Sequence, residues 1–229
     1  MPDTQAKVIA TCPGCGMRHE IPRIDIVGAQ ITNVACPSCF DKDQKSQSDA
    51  ASDQLSAGRE AYFDLVCPPL YRDTDPARLP AHQLETTLAW QVAPKGLLLT
   101  GPTGAGKTRI AFLLLHRLIM HGVQMRVFDC AGFAHELARQ FGNKSGTAET
   151  WLDNLAQCQV LFFDDIGKTP FTERVEAELY TLIERRTAYR LPIICTMNMK
   201  GVDLIAKTTA DRGGPMVRRL REFCQIVNF

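Results

Sequence analysis

The segment Gly101-Pro102-Thr103-Gly104-Ala105-Gly106-Lys107-Thr108 decides how this chain folds. It fits the pattern G-x-x-x-x-G-K-[ST] at every fixed position. The glycines let backbone N–H groups face a phosphate, while Lys107 can reach β- and γ-phosphate oxygens and the Thr108 hydroxyl can face Mg²⁺. The segment therefore predicts a loop that binds the phosphates of a nucleotide together with magnesium.

The segments on either side of the loop support this prediction. Gly96–Thr100 (GLLLT) is a short apolar run typical of a buried parallel strand. Residues 108–121 have the length and composition of a buried helix, which Gly122 would end. The N-terminus of that helix would add its partial positive charge to the phosphate site. A glycine turn without a ligand is the alternative, and the order of strand, loop and helix argues against it.

A second apolar strand, residues 159–163, ends in two carboxylates. In phosphate-loop folds a carboxylate in this place holds Mg²⁺ beside the loop threonine, a role that we predict for Asp164. Asp165 follows directly, where a carboxylate can orient and deprotonate the attacking water. An ordinary acidic strand end is the alternative, and a complete phosphate loop in the same chain disfavours it.

The segment Leu191–Asn198 (LPIICTMN) predicts a further buried strand with a polar tail. Thr196 and Asn198 would lie near the γ-phosphate if this strand is next to Gly96–Thr100. Asn198 could then hydrogen-bond both the γ-phosphate and the attacking water. Residues 198–200 do not form the N-K-x-D motif that reads guanine, so ATP is favoured over GTP.

The remaining segments predict an alternating α/β order. Four prolines within residues 61–80 predict an extended path across the surface of the domain. The other predicted elements are a strand at 125–128, helices at 82–92, 131–141, 151–158 and 173–189, a turn at 142–146 and a last strand at 224–229.

Arginines are concentrated between the last predicted helix and the last strand. Arg212, Arg218, Arg219 and Arg221 lie within DRGGPMVRRLRE, and Pro215 predicts an irregular backbone there. A guanidinium could complete the active site of a neighbouring subunit by stabilising the charge of the transferred phosphoryl group. A basic surface turn or a contact with DNA phosphates explains any single arginine equally well.

Two C-x-x-C pairs near the N-terminus predict a metal site. The pairs Cys12/Cys15 and Cys36/Cys39 are separated by twenty residues, the spacing of a Cys₄ zinc ribbon. Gly16 allows a tight turn after the first pair, and a short hairpin is predicted over residues 20–27. So small a segment needs the metal for its folding energy. A redox dithiol and a substitute ligand in His19 are the weaker alternatives.

Charge and composition limit the remaining functions. Charges within residues 1–40 balance, so the ribbon lacks a basic face for phosphates and is predicted to dock on a protein. Residues 41–61 are polar and predict a linker, partly helical toward its end, before a domain at 62–229. With a net charge of +1 over 229 residues, any DNA contact must be local. No export signal or membrane-length apolar run is present in the sequence, which predicts a cytoplasmic protein without a membrane partner.

Four motifs in order, GPTGAGKT, LFFDD, ICTMN and GGPMVRRLRE, resemble those of AAA+ ATPases of the DnaC/IstB type. This family includes bacterial and phage helicase loaders and transposition helpers. The resemblance covers residues 62–229 and extends to PPLYRDTDP and FFDDIGK. It implies an α/β P-loop NTPase core with a parallel five-stranded sheet and no lid domain. The Gly96–Thr100 strand would be flanked by the last strand and by the strand that carries Asn198.

The resemblance also implies roles for individual residues. Lys107 and Thr108 match Walker A, Asp164 and Asp165 match Walker B, and Asn198 matches sensor I. Arg219 matches the box VII arginine, with Arg218 and Arg212 as the next choices for the arginine finger. The implied catalytic residues are Lys107, Asp165, Asn198 and Arg219. The implied ATP contacts are Gly101, Pro102, Thr103, Gly104, Ala105, Gly106, Lys107, Thr108, Arg109 and Asp164. Thr108 and Asp164 would hold Mg²⁺, and Cys12, Cys15, Cys36 and Cys39 would hold Zn²⁺.

The resemblance implies an ATP-dependent loader of a replicative hexameric DNA helicase. A zinc ribbon occurs in some loaders, where it docks on the helicase while the ATPase domain contacts single-stranded DNA, and transposition helpers usually lack it. Such a loader would work as a homo-oligomer through its ATP-site interfaces, with slow hydrolysis until DNA or helicase arranges the subunits. A transposition helper that organises double-stranded DNA and an ATP-switched adaptor without turnover are the alternatives.

Overall fold

The computed structural model describes residues 7–22, 25–26, 29–30, 33–142, 147–168 and 171–229. The chain forms two compact units, Met1–Gly58 and Arg59–Phe229. The predicted turn at 142–146 lies outside the described residues, apart from its first residue.

The first unit contains two short antiparallel pairs of strands. Strand β1 (Lys7–Thr11) pairs with β2 (Arg18–Pro22), and β3 (Asp25–Ile26) pairs with β4 (Ala29–Gln30). The hairpin predicted over residues 20–27 is therefore divided between the two pairs, and residues 23, 24 and 27 lie outside the described part. The first knuckle instead forms the β1–β2 turn, in which Gly16 adopts a φ of 74° and donates to the Cys12 carbonyl at 2.8 Å.

The segment predicted as a linker at 41–61 is helical throughout and not only toward its end. Helix α1 runs from Pro37 to Val66 over 30 residues. Proline is tolerated in the first turn of a helix because its missing N–H has no partner there, and Gly58 is the one glycine within α1. The glutamines and lysines that make the segment polar are also good helix formers, as are its alanines. Its polarity reflects exposure to solvent and not a lack of regular structure.

The prediction of an extended path over residues 61–80 is also wrong. After α1 the chain forms helix α2 (Pro69–Arg72) and a 3₁₀ turn (Pro76–Arg78). Each proline again stands at the start of a helical turn, and the Asp75 side chain accepts a hydrogen bond from the Ala77 N–H at 3.0 Å. The short helix predicted at 82–92 is present as α3 (Ala81–Leu88).

A parallel five-stranded sheet forms the second unit, as the sequence predicts. Its strands are β5 (Gly96–Thr100), β6 (Met125–Asp129), β7 (Val160–Asp164), β8 (Ile193–Met197) and β9 (Cys224–Asn228). Their spatial order is β6-β7-β8-β5-β9. The strand that precedes the phosphate loop is therefore flanked by the strand before Asn198 and by the last strand, which confirms the expected arrangement.

Helices cover both faces of this sheet. They are α4 (Lys107–Met120), α5 (Cys130–Gly142), α6 (Thr147–Gln157), α7 (Glu173–Ala188), α8 (Gly201–Ala206) and α9 (Ala210–Phe223). Leu97 and Leu99 pack in the core layer that contains α4, whereas Leu98 packs in the layer that contains α5, α7 and α9. A strand that buries side chains on both faces must be apolar throughout, which explains the GLLLT sequence.

Pro215 does not make its segment irregular. Helix α9 continues through it, and Met216, Val217 and Leu220 on this helix are buried in the core. Burial of this apolar face outweighs the local cost of a proline within the helix.

Candidate functional site

The carboxyl ends of β5, β7 and β8 meet at the N-terminus of α4. A cavity of about 560 Å³ opens there, which is within the usual size range for a small-molecule site. Its lining residues come from the loop, the β7 and β8 ends and the segment before α3; they include Thr103, Gly104, Ala105, Gly106, Lys107, Thr108, Arg109, Asp165, Lys168 and Asn198. The fold thus brings three of the four motifs, GPTGAGKT, LFFDD and ICTMN, together around one space.

The loop backbone requires glycine at two positions. Gly101 has a φ of 150°, and a side chain there would place its Cβ 2.7 Å from Cβ of Phe229. Gly106 has a φ of 94° and caps the start of α4. The loop therefore turns directly into the N-terminus of a helix, where free N–H groups and the helix dipole favour an anion. This geometry fits the phosphates of a nucleotide.

Lys107 lies within this loop and is almost fully buried. Its ammonium donates to the carbonyls of Gly101 at 2.9 Å and Pro102 at 2.7 Å. Burial lowers the pKa of Lys107, whereas the carboxylates of Asp165 and Asp164 act in the opposite direction. The lysine is thus held inside the loop by two carbonyls of the loop itself.

Thr108 and Asp164 are in direct contact. The Thr108 hydroxyl donates to Asp164 Oδ1 at 2.9 Å, and the Thr196 hydroxyl donates to the same oxygen at 2.6 Å. Burial raises the pKa of Asp164, and the bonds from Thr196 and Thr108 lower it. A hydroxyl and a carboxylate placed together are the oxygen donors that Mg²⁺ prefers, so this pair fits a magnesium ion.

Asp165 is fixed from three sides. The Asn198 amide donates to its Oδ1, the Lys168 ammonium lies 2.9 Å from its Oδ2, and its backbone N–H donates to the Thr196 hydroxyl at 2.8 Å. Its φ of 54° lies in the left-handed region, which few residues other than glycine, asparagine and aspartate adopt. The structure therefore places the carboxylate of Asp165 and the amide of Asn198 side by side at the cavity.

The segment before α3 forms a wall of the cavity that the motifs alone did not predict. Arg109 donates to the Leu70 carbonyl at 3.0 Å and to the Thr74 hydroxyl at 3.3 Å. Its guanidinium also lies 5.7 Å from the ring centre of Tyr71, which stacks on Phe112. Arg109 thus holds this wall against α4. In the sequence, the PPLYRDTDP segment contributed to the family resemblance, but it did not predict that these residues would line the cavity.

The three arginines considered for the finger are not among the described residues that line the chain's own cavity. Arg219 forms two hydrogen bonds with the Glu184 carboxylate on α7, at 2.7 and 3.1 Å, and this pairing raises the pKa of Arg219. Arg218 is exposed and Arg212 is partly buried. A role at an active site would therefore require the site of another subunit.

The four cysteines of the first unit form one cluster. The Sγ atoms of Cys12, Cys15, Cys36 and Cys39 all lie within 4.8 Å of one another, and those of Cys15 and Cys36 are 3.7 Å apart. A tetrahedral zinc ion with Zn–S bonds of about 2.3 Å would separate its sulfurs by about 3.8 Å, so the cluster fits zinc. Backbone hydrogen bonding at Cys36 lowers the pKa of Cys12 to about 6, whereas hydrogen bonds with Cys15 and the other thiols of the cluster raise the pKa of Cys39 to about 12. His19 does not belong to this cluster.

No helix within the described residues is both long and apolar enough to span a membrane.

Comparison with known proteins identifies the family. Residues 72–204, more than half of the chain, match the family described as IstB-like ATP binding protein. An ATP-binding protein of an insertion sequence from Mycobacterium tuberculosis is 29% identical over 126 residues, which cover 53% of this chain and 48% of the relative. An ATP-binding protein of an insertion sequence from Pseudomonas fluorescens is 30% identical over 130 residues, which cover 56% of this chain and 55% of that relative. The chain thus spans about half the length of these curated relatives.

Solved structures share the fold at lower identity. The DnaC helicase loader superimposes with a TM-score of 0.55 at 19% identity, covering 73% of this chain and 98% of that one. DnaI gives 0.52 at 21% identity, covering 68% and 85%. The replication initiator DnaA bound to AMPPCP and single-stranded DNA gives 0.55 at 17% identity, covering 71% and 50%.

The matched region contains the phosphate loop, both carboxylates and Asn198, and its α/β core is that of a P-loop NTPase. This chain therefore belongs to the family of IstB-like ATP binding proteins.

Proposed function

We propose that this protein is an Mg²⁺-dependent ATPase that loads a replicative hexameric DNA helicase. The observation that carries the proposal is the combination, in one chain, of a DnaC-like ATPase core with a four-cysteine unit. The core provides an ATP site, and the cysteine unit provides a separate surface for a partner. Structural similarity to the DnaC helicase loader supports this assignment through the fold.

The proposed reaction is hydrolysis of the β–γ phosphoanhydride bond by water. The loop N–H groups and Lys107 would bind the phosphates, and Thr108 and Asp164 would hold Mg²⁺. The bound magnesium ion would neutralise charge on the phosphate oxygens. Asp165 accepts a proton from the attacking water, and the Asn198 amide orients it. The contact between Asp165 and Asn198 already places these two groups together.

Hydrolysis would depend on assembly because an arginine must come from a neighbouring subunit. Arg219 is the proposed finger, with Arg218 and Arg212 as the alternatives. Homo-oligomers that share ATP sites in this way would hydrolyse ATP slowly on their own. Hydrolysis would be faster when single-stranded DNA or the helicase arranges the subunits. The DNA-bound DnaA structure supports DNA contact only through its shared fold.

The four-cysteine unit, proposed to include residues 1–40, would bind Zn²⁺ and dock on the helicase. Thiolates remain reduced and available for zinc in the cytoplasm, which is the proposed setting. Exposed apolar side chains at Ile9, Met17 and Phe40 are 54–61% accessible and could contribute to such a contact.

Substitution of Asp165 by asparagine tests the enzymatic part of this proposal. We expect Asp165→Asn to bind ATP like the wild type but to release phosphate at least about 100-fold more slowly, the lower range for loss of a general base. Asparagine tolerates the left-handed backbone that this position requires, so the fold should persist. Phosphate release with and without single-stranded DNA is the measurement. If wild-type protein with DNA and helicase also released no phosphate, the protein would be an ATP-switched adaptor.

A mixture of two inactive variants tests the shared site. The Arg219→Ala variant retains the carboxylates of Asp164 and Asp165 but lacks the proposed arginine finger. The Asp165→Asn variant retains the arginine finger but lacks the Asp165 carboxylate. Mixing them should restore part of the hydrolysis, because one variant supplies the arginine and the other the pocket. Failure to restore hydrolysis, with Arg218→Ala and Arg212→Ala mixtures equally inactive, would exclude a finger in this helix.

A transposition helper is the second candidate because both curated relatives are described as belonging to insertion sequences. Full-length protein and a Cys36→Ser/Cys39→Ser variant can be used to capture partners from the native host. Recovery of a replicative helicase by the wild type alone would support a loader. Recovery of a transposase, together with tighter binding to double-stranded than to single-stranded DNA, would support the second candidate.

A further inference from the structure

We propose that Thr196 is the positioning residue that fixes the carboxylate of Asp164 and the backbone of Asp165 at the ATPase site. This inference rests on the proposed hydrolysis and gives a role to a residue for which the sequence predicted only a place near the γ-phosphate. Thr196 would act through Asp164 and Asp165 rather than by touching the nucleotide.

The side chain of Thr196 connects two functional groups at once. Its hydroxyl donates to Asp164 Oδ1 at 2.6 Å and accepts the backbone N–H of Asp165 at 2.8 Å. Its own carbonyl accepts the N–H of Ile166 at 2.9 Å. One residue of β8 thus fixes three consecutive residues at the end of β7.

Only a hydroxyl can make both side-chain bonds, because it donates and accepts through the same oxygen. Thr196 is fully buried, so water cannot replace its hydroxyl. Valine has nearly the same shape and favours strands equally, but it would leave Asp165 N–H and one bond of Asp164 unmade. The requirement at this position is therefore for a hydroxyl and not for shape alone.

The second hydroxyl on Asp164 cannot take over this role. It belongs to Thr108, which is itself a proposed Mg²⁺ ligand. Thr196 provides the bond to Asp164 that does not compete with the metal. Loss of this bond frees the carboxylate to rotate, while the loop and Lys107 remain unchanged. We therefore expect the Mg²⁺ requirement to change and metal-free nucleotide binding to persist.

The test compares Thr196→Val, Thr196→Ser and wild type as full-length proteins. Fluorescence of mant-ATP during Mg²⁺ titration gives the concentration for half-maximal Mg²⁺-dependent binding, and phosphate release gives kcat. For Thr196→Val we expect this concentration to rise about tenfold, equivalent to about 1.4 kcal/mol, and kcat to fall by a similar factor. Mant-ATP affinity in EDTA should stay within about twofold of wild type, and Thr196→Ser should restore both values.

Thr187→Val is the matched control, since Thr187 is also buried but donates to the carbonyls of Ile183 and Glu184 in its own helix. It should leave the Mg²⁺ requirement unchanged. The inference is overturned if Thr196→Val and Thr187→Val give the same Mg²⁺ requirement and kcat, or if serine fails to restore them. If wild-type protein hydrolysed no ATP, the proposed function would fail, but the Mg²⁺ dependence of mant-ATP binding would still decide the role of Thr196.

Discussion

At the scale of single residues, Arg186 shows how a buried charge can stabilise this fold. The side chain is completely buried, and it donates to the carbonyls of Leu155, Cys158 and Pro192, each at 2.8 Å. These carbonyls come from the end of α6 and from the residues just before β7 and β8. One guanidinium thus satisfies three carbonyls where two strands, β7 and β8, enter the sheet, and burial lowers its pKa.

We predict that Arg186→Met lowers the free energy of unfolding of the second unit by about 3 kcal/mol. Methionine removes the cost of burying a charge, but three carbonyls lose their donors, at about 1–3 kcal/mol each. Urea denaturation is the measurement. Arg185→Met is the control, because Arg185 is partly exposed and pairs with exposed Asp153 at 2.8 Å; its loss should cost less than about 1 kcal/mol. Equal losses for the two variants would contradict this account.

Sequence motifs predicted about half of the residues that line the cavity, but not the contacts that hold them. Lys107, Thr108, Asp164, Asp165 and Asn198 follow from spacing, because each lies at the end of a recognisable strand or at the start of a helix. The bonds of Thr196 depend on the pairing of Phe163 with Cys195, which aligns β7 with β8. No local pattern encodes the register between strands that are about thirty residues apart in the chain.

At the scale of secondary-structure elements, α1 offers a direct test of helix propensity. Gly58 lies in the exposed helix interior, and a Cβ added there would meet nothing within 4 Å. We predict that Gly58→Ala raises stability by about 0.5–1 kcal/mol, since alanine loses less backbone entropy on folding. Thermal unfolding followed by circular dichroism is the measurement.

Gly213→Ala is the opposite case within a helix of the same chain. A Cβ there would collide with the Thr208 hydroxyl and lie 3.1 Å from Thr208 Cβ. This variant should be less stable than wild type. A gain in stability for both variants would show that helix propensity alone governs these two positions.

The strands and most helices of the second unit were predictable because their apolar patterns are strong. The errors concern α1, the 61–80 segment and Pro215. Polar residues do not by themselves indicate missing structure, because a helix needs an apolar face only where it packs. Prolines do not interrupt helical structure in the other two places, because Pro69 and Pro76 start helical turns and the core holds α9 across Pro215.

At the scale of the whole molecule, the two units differ in what stabilises them. The second unit has two large apolar clusters, one on each face of its sheet. In the described part of the first unit, the buried apolar side chains are Ala10, Cys12, Ile21 and Cys36. So small a core cannot offset the entropy of folding without the proposed zinc.

We therefore predict two separate unfolding transitions in calorimetry of the full chain. Chelation of zinc should abolish the transition of the first unit and leave that of the second. ATP with Mg²⁺ should raise the free energy of unfolding of the second unit alone, by about 2.7 kcal/mol at an ATP concentration of 100 times Kd. Loss of both transitions on chelation, with no recovery on adding ATP, would mean that the second unit cannot fold without the metal.

The left-handed backbone of Asp165 has a consequence for protein engineering. Glycine adopts a φ of 54° without steric cost, so a glycine at this position would relieve strain of about 1 kcal/mol. Selection for heat resistance alone would therefore favour glycine here wherever this relief exceeds the loss of the contacts with Asn198 and Lys168. A library of variants therefore needs a measurement of ATP hydrolysis in every round of selection, because stable variants that lack this carboxylate would be inactive.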